Sequence, residues 1–329
     1  MIVITGASGL LGRHLVKVLS AEAKPIKALY NSQIPEVLPG TRAEFVTWVK
    51  LDLLNYADVE AVFAGAEQVY HAAGLVSYDA RDYESLFLMN EEGTAYVVNA
   101  CLSQGVKKLG FVSSVATLGH PLRAGDAVDE QSPIDEEMPV SVYARSKRKA
   151  EREVWRGFAE GLDMVIVNPS IIIGDGDGSK SSSSLLQQVY DEFSWYTEGA
   201  TGWVDAEDVA NALVALMRAS IVGERFVVSA ENRSFKDVFT LMAKVMQKRP
   251  PHRKAASWMV ELVWRLDILK ARLRGSKPLL TRETARAACE VKAYSSEKLH
   301  KALPNFKYRR LEDSIARSAA YFLGTKQNK

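Results

Sequence analysis

Met1-Ile-Val-Ile-Thr5 is a short β-branched run that breaks into the glycine-rich turn Gly6-Ala-Ser-Gly9-Leu-Leu-Gly12. Leu10, Leu11, Leu15, Val18 and Leu19 follow at helical spacing, so the segment reads as strand, turn, helix. Each glycine answers a separate need: Gly6 a tight turn, Gly9 close approach of the backbone to a pyrophosphate, Gly12 close packing of helix on strand. The helix start offers free N–H groups and a positive dipole end to phosphates. The spacing is G-x-x-G-x-x-G, and the strand before it and helix after it supply the context of a dinucleotide-binding turn that includes Ser8, Leu10 and Leu11.

The alternation continues down the chain. Ile26–Tyr30, Phe45–Val49, Gln68–His71, Lys108–Ser113, Met164–Asn168 and Arg225–Ser229 read as strands, and Val59–Phe63, Tyr83–Gln104, Ser141–Glu160 and Ala206–Arg218 as helices. Repeated βαβ units predict an α/β fold, a doubly wound parallel Rossmann sheet whose site lies outside the carboxyl ends of its strands. Residues 1–168 and 203–230 are the expected dinucleotide-binding domain; 169–202 and 231–329 are the expected substrate domain, smaller and mainly helical.

A second feature carries chemistry. Tyr143 and Lys147 stand four residues apart in Val142-Tyr-Ala-Arg-Ser-Lys147, downstream of a Ser113-Ser114 pair that ends an apolar run. On a helix, positions i and i+4 share a face, so an ammonium beside the phenol would favour the phenolate. A tyrosine tuned in this way trades protons near neutral pH. Alone, the spacing describes many solvated helix surfaces; with the glycine turn it describes a candidate catalytic pair.

Composition excludes several classes. The 42 basic and 40 acidic residues leave a net charge of +2, no electrostatic footprint for nucleic acid. No apolar run is long enough to predict a membrane span, and a first strand beginning at Met1 leaves no room for a signal peptide. Cys101 and Cys289 are too few and too scattered for a disulfide scaffold or a zinc site, so no metal is expected and a cytoplasmic setting with reduced thiols is. Gly174-Asp-Gly-Asp-Gly-Ser-Lys-Ser-Ser-Ser-Ser184 imitates a phosphate loop and an EF-hand but satisfies neither pattern. It reads as a loop at the mouth of the site.

With these pieces in order, the chain resembles the extended short-chain dehydrogenase/reductase superfamily, which includes the NAD-dependent epimerase/dehydratase and dihydroflavonol-4-reductase-like proteins. The resemblance spans nearly the whole length through Leu51-Asp52-Leu53, Val69-Tyr-His-Ala-Ala-Gly74, Asn90-Glu-Glu-Gly-Thr94, Phe111-Val-Ser-Ser-Val-Ala-Thr-Leu-Gly119, Asn168-Pro-Ser-Ile-Ile-Ile-Gly174, Gly202-Trp-Val-Asp-Ala-Glu-Asp-Val209 and Gly223-Glu-Arg-Phe-Val227. It implies catalytic roles for Ser114, which holds the substrate oxygen, for Tyr143 as proton donor and acceptor, and for Lys147, which lowers the phenol's pKa and binds the nicotinamide ribose. Asn90 matches a helix position facing the site, where an asparagine could equally serve to hold the helix. Asp52 and Leu53 would meet the adenine, Ala72, Ala73 and Gly74 would wall the cofactor, Ser113 would shape the backbone beside the nicotinamide, and Pro169 and Ser170 would lie against its ribose. His71 is expected to be structural or cofactor-adjacent.

Cofactor and substrate are less legible. Tyr30-Asn31-Ser32 ends the second strand with no carboxylate to repel a 2′-phosphate, and Arg13 and Lys27 are near in sequence, which favours NADP over NAD. Leu75, Val76, Tyr78, Val115, Ile171, Trp195 and Tyr196 are pocket candidates, mostly apolar or aromatic, and suit an apolar or aromatic carbonyl substrate. Sugar-nucleotide dehydratases of the family carry an Asp-Glu pair after the catalytic threonine; Val115 and Ala116 stand there, which argues against dehydration. The leading expectation is carbonyl reduction or alcohol oxidation. A nucleotide-sugar epimerase with tightly held NAD is the alternative, and a non-catalytic dinucleotide-sensing regulator the third, although such relatives commonly lose the Tyr/Lys pair. The basic segment 249–277 has apolar positions 258, 262, 266 and 269 at helical spacing. It is expected to pack in the substrate domain, with a membrane-surface or partner-binding helix as the alternative. Family helices matching 83–104 and 141–160 often pair across a dimer, so the resemblance implies a homodimer.

Overall fold

The computed structural model describes residues 1–121, 123, 125–135, 140–176, 184–274 and 281–327. The strands are β1 Ile2–Thr5, β2 Ile26–Tyr30, β3 Val46–Lys50, β4 Gln68–His71, β5 Lys108–Val112, β6 Met164–Pro169, β7 Ile171–Ile173, β8 Trp195–Tyr196, β9 Ala200–Asp205, β10 Glu224–Val228, β11 Glu231–Ser234 and β12 Arg253–Lys254. The helices are α1 Leu10–Ser20, α2 Tyr56–Phe63, α3 Tyr83–Phe87, α4 Gly93–Ser103, α5 Val142–Ala159, α6 Ser184–Tyr190, α7 Ala206–Arg218, α8 Phe235–Val245, α9 Ser257–Arg274, α10 Arg282–Cys289, α11 Glu297–Ala302 and α12 Leu311–Gln327.

Seven strands form one sheet in the order β10-β6-β5-β4-β1-β2-β3, and all six pairings are parallel. The chain runs outward from β1 to one edge, then from β4 to the other, so a crevice opens at the carboxyl ends of β1 and β4, where the direction reverses. Apolar runs suit such strands because both faces are covered. In β1, Ile2 and Ile4 join a core with Leu15, Leu19, Val209 and Leu213, while Val3 joins the opposite core with Phe63, Val97, Ala150 and Val154. The period of two along the strand thus divides the protein into two packed layers.

A third core joins Ile173, Trp203, Val238, Met242, Ile315 and Phe322. It covers a three-stranded sheet in the order β11-β9-β7 that the sequence reading did not anticipate. β9 runs through the domain boundary expected at residue 203 and continues directly into α7, whose first turn Asp205 caps by accepting from the Glu207 N–H at 2.7 Å. The helix expected over 83–104 is interrupted as well: Leu88–Glu92 form a π turn between α3 and α4. Of the mouth loop expected over 174–184, residues 177–183 lie outside the described residues, as does position 277 at the end of the basic segment.

Of the apolar positions expected to pack in that segment, 258, 262 and 266 do the reverse, while the side chain at 269 lies outside the described residues. Trp258, Leu262 and Leu266 are 69%, 50% and 55% exposed, while Val260 and Ala271 on another side of α9 are buried. Packing selected the face that meets α10, with Val260, Glu261, Ala285, Arg286 and Cys289 lining the cleft between the two helices.

Two buried histidines set an acid limit on the fold. Burial lowers His14 from 6.5 to about 4, with Asp175 opposing, and lowers His71 from 6.5 to about 3. The unfolded chain takes up these protons below about 6.5 and the folded chain does not, so stability is full above that pH and falls as pH drops towards 4 and 3. At pH 5 each histidine should cost about 2 kcal/mol. Melting curves at pH 7 and 5 should show this loss, and His14→Gln should remove about half of it; a variant that keeps the full acid slope would assign the loss elsewhere.

Candidate active site

β5 ends at Val112 and delivers Ser113 and Ser114 to the carboxyl edge of the sheet. Ser114 caps the turn Val115–Thr117, its Oγ accepting from the Ala116 N–H at 3.2 Å. α5 begins beside it because Ser141 caps its first turn, accepting from the Ala144 N–H at 2.9 Å. That cap sets Tyr143 in the first turn, where the phenol is buried and hydrogen-bonds Ser114. One turn on, Lys147 is buried too, its Nζ donating to the Val112 carbonyl at 2.8 Å and lying 4.6 Å from the Phe111 ring centroid. Ser114, Tyr143 and Lys147 therefore converge, with the ammonium directed into the protein.

The glycine turn has the geometry its spacing implies. Gly6 has φ +65°, and a Cβ there would stand 2.5 Å from the Ala73 nitrogen. A Cβ on Gly12 would reach within 2.0 Å of the Gly6 carbonyl oxygen. Gly9 is the N-cap of α1 and supplies no side-chain acceptor, so the first amides of α1 keep their capacity for an anion. Ser8 and Leu10 are partly exposed at this turn, and Leu11 is buried beneath it. Ala72 and Ala73 donate to the Thr5 carbonyl and Thr5 Oγ1, both at 3.3 Å, which brings the β4 wall against the turn. Asn31 and Asp52 are exposed at the adjacent ends of β2 and β3, which the Leu51 N–H closes onto the Tyr30 carbonyl at 2.9 Å; Leu53 is buried beside them. Pro169 and Ser170 are buried at the end of β6, where Ser170 Oγ has no hydrogen-bond partner. An uncapped helix start, a glycine cradle and an orphaned hydroxyl fit a dinucleotide laid across the crevice.

Several expected roles change. The phenol is not acidified: burial first, then Tyr78, push Tyr143 above its usual value, and the Ser114 hydrogen bond opposes them. Burial also weakens the ammonium, lowering Lys147 from 10.5 to about 8 against the pull of Glu151. The His71 ring is fully buried and taken up by Thr5 Oγ1 at 2.6 Å and Thr94 Oγ1 at 3.0 Å, so it pins β4 rather than facing the crevice. Lys27 donates to the Val62 carbonyl at 2.8 Å, and Arg13 bonds Tyr321 Oη at 3.0 Å and the Asp175 carbonyl, so neither cation is held at the end of β2. Asn90 sits in the π turn, accepting from the Leu75 N–H at 2.7 Å and donating to the Leu75 carbonyl at 3.0 Å and Ser146 Oγ at 2.9 Å. It clamps the β4 loop to α5, and a Cβ on Gly74 would lie 3.2 Å from its Oδ1 and 3.6 Å from Lys147 Nζ.

The substrate candidates divide. Tyr78 stacks edge-on against Tyr143, ring centroids 5.8 Å apart, and Val76 is exposed on the same loop. Val115 packs on Leu118, Val128, Val227 and Tyr294, and Ile171 packs against the third core, with Ile173 and Trp203. Trp195 and Tyr196 belong to the β8/β12 ribbon, under Arg253 and Lys236.

Two carboxylates were missed. Glu151 Oε1 is buried and accepts from Ser113 Oγ at 2.5 Å and from Thr117 Oγ1 and Asn168 Nδ2, both at 2.7 Å. Ser113 is therefore turned into the protein, and this hub ties β5, β6, α5 and the Ser114 turn together. The signal was present, since 143, 147 and 151 form one helical stripe. Removing the acceptor leaves Ser113 Oγ without its partner and takes one acceptor from Thr117 Oγ1 and Asn168 Nδ2, which keep the Ser114 carbonyl, so Glu151→Ala should cost about 2 kcal/mol by denaturant titration; a loss under about 0.5 kcal/mol would show that water replaces the carboxylate. Glu283 reaches from α10 to the start of α5, accepting from the Val142 N–H at 3.3 Å, while its Oε2 is buried without a partner. Burial raises Glu283, and the carboxylate is felt by Tyr78, so the pocket is less uniformly apolar than its sequence candidates imply.

Residues 2–229 match the family described as NAD dependent epimerase/dehydratase. The chain belongs to that family. A Synechocystis relative carrying a dihydroflavonol 4-reductase name is 27% identical over 305 residues, covering 90% of this chain and 87% of its own. Cinnamoyl-CoA reductase 1 of Arabidopsis thaliana is 26% identical over 263 residues, 75% of each chain. The crystal structure of gox2253 superposes with a TM-score of 0.81 at 27% identity, covering 98% of both chains. As a member of the NAD dependent epimerase/dehydratase family, the protein is an NAD(P)-dependent extended short-chain dehydrogenase/reductase. No helix among its described residues is long and apolar enough to cross a membrane.

Proposed function

We propose that the protein reduces the carbonyl of a small apolar or aromatic substrate, or oxidises the matching alcohol, through Ser114, Tyr143 and Lys147. The observation that carries this reading is the convergence of half-buried Ser114 with the buried Tyr143 phenol that it hydrogen-bonds and the buried Lys147 ammonium, at the carboxyl end of β5. A bound dinucleotide would supply the hydride. Ser114 orients the substrate oxygen, and Tyr143, kept protonated by its surroundings, gives that oxygen its proton. Lys147 holds positive charge where negative charge builds and would hold the nicotinamide ribose. Asn90 keeps the Leu75 loop and α5 in register.

The cradle of Gly6, Ser8, Gly9, Leu10, Leu11 and Gly12 would take the pyrophosphate, with Asp52 and Leu53 towards the adenine, Ala72 and Ala73 along the wall, and Pro169 and Ser170 towards the ribose. NADP(H) is the proposed form. Only the neutral Asn31-Ser32 end of β2 supports it, because Arg13 and Lys27 are engaged elsewhere. A cytoplasmic setting with free Cys101 and Cys289 and a homodimer through α4 and α5 complete the reading. Purified protein should take up NADPH reversibly and oxidise it with an aromatic aldehyde or ketone panel. The family also bears the epimerase name; a non-exchanging NAD that survives purification, with no net turnover of added dinucleotide, would favour nucleotide-sugar epimerisation instead.

A further inference from the structure

α9 carries an apolar stripe that no described residue covers. Trp258, Leu262, Val263 and Leu266 are 69%, 50%, 49% and 55% exposed. So large a continuous apolar strip on one helix marks an interaction surface. Its charge setting identifies the partner. Residues 249–277 hold eight Lys and Arg against two acids, Glu261 and Asp267, so the segment carries +6 while the whole chain carries +2 and the remainder −4. A helix with Trp and Leu on one side and a basic excess around it has the character of an interfacial helix.

We infer that α9 docks on an anionic lipid surface, lying in the headgroup layer with its apolar stripe down. A second copy of the chain is the poorer occupant, because it would bring two segments of +6 together. The acids within the helix exclude crossing the bilayer, and partial insertion needs none. α10 packs against α9 and bonds the start of α5 through Glu283, which leaves the surface one helix from the catalytic phenol.

Flotation of the full-length protein with vesicles tests this. With phosphatidylcholine containing roughly one-third phosphatidylglycerol, the protein should float at low salt and be released several-fold at about 0.5 M NaCl. With phosphatidylcholine alone it should stay behind. Leu262→Glu combined with Leu266→Glu should weaken flotation about tenfold or more, with melting temperature and NADPH oxidation unchanged, since both side chains are already half in water. Absence of flotation on anionic vesicles would overturn the inference. So would a double variant that floats like its parent, or one whose only change is from dimer to monomer in light scattering, which would give the stripe to a second copy.

Discussion

Replacing Tyr143 with Phe lowers turnover by about a thousandfold or more while leaving dinucleotide affinity unchanged. The phenol is buried, with its ring held edge-on by Tyr78 at 5.8 Å, so the phenyl ring keeps the packing and loses only the hydroxyl. That hydroxyl is the group hydrogen-bonded to Ser114, and burial and Tyr78 hold it above its usual pKa. It is therefore protonated wherever the enzyme is assayed and suited to donate to an oxygen that gains negative charge. The measurement is kcat at the nicotinamide absorbance, paired with dinucleotide binding by fluorescence. Ordinary turnover in the variant would remove the phenol from the reaction, and lost binding would make its role structural.

Lys147→Met should abolish turnover and stabilise the fold, two effects of opposite sign. Burial lowers Lys147 from 10.5 to about 8. Below about 8 both folded and unfolded chains carry the proton and the fold bears the full cost of a buried ammonium, about 3 kcal/mol. Between about 8 and 10.5 only the unfolded chain holds it, so the cost shrinks and vanishes above that range. The hydrogen bond to the Val112 carbonyl returns about 1 kcal/mol, which leaves a net gain of about 2 kcal/mol for methionine at pH 7. Thermal unfolding should rise by about 3 °C at pH 7, and the gain should fade as pH climbs past about 8. A variant that melts lower at pH 7 would mean that the ammonium supports the fold rather than straining it.

Glycines and helical spacing were readable because their reasons are local. Gly6 needs a positive φ and Gly12 leaves no room for a Cβ, both consequences of the turn that the residues themselves form. Tyr143 and Lys147 share a face by helical geometry alone, and Ala206–Arg218 was delimited correctly because Asp205 is a cap and the run is apolar at the right period. The three-stranded sheet of β7, β9 and β11 was not readable, since its strands are three to six residues long and pair across distant stretches of chain.

The sequence by itself determined the parallel sheet, the glycine turn and the shared helical face of Tyr143 and Lys147, because each follows from short-range sterics and periodicity; the choice of Ser114 came from the family resemblance. Tertiary structure alone decided their electrostatics and surroundings. The direction of the Tyr143 shift, the inward turn of Ser113 to Glu151, the arrival of Glu283 from α10 and the exposure of α9 all depend on which distant groups come together and how much water they exclude. Those are properties of a packed interior, and no local pattern encodes them.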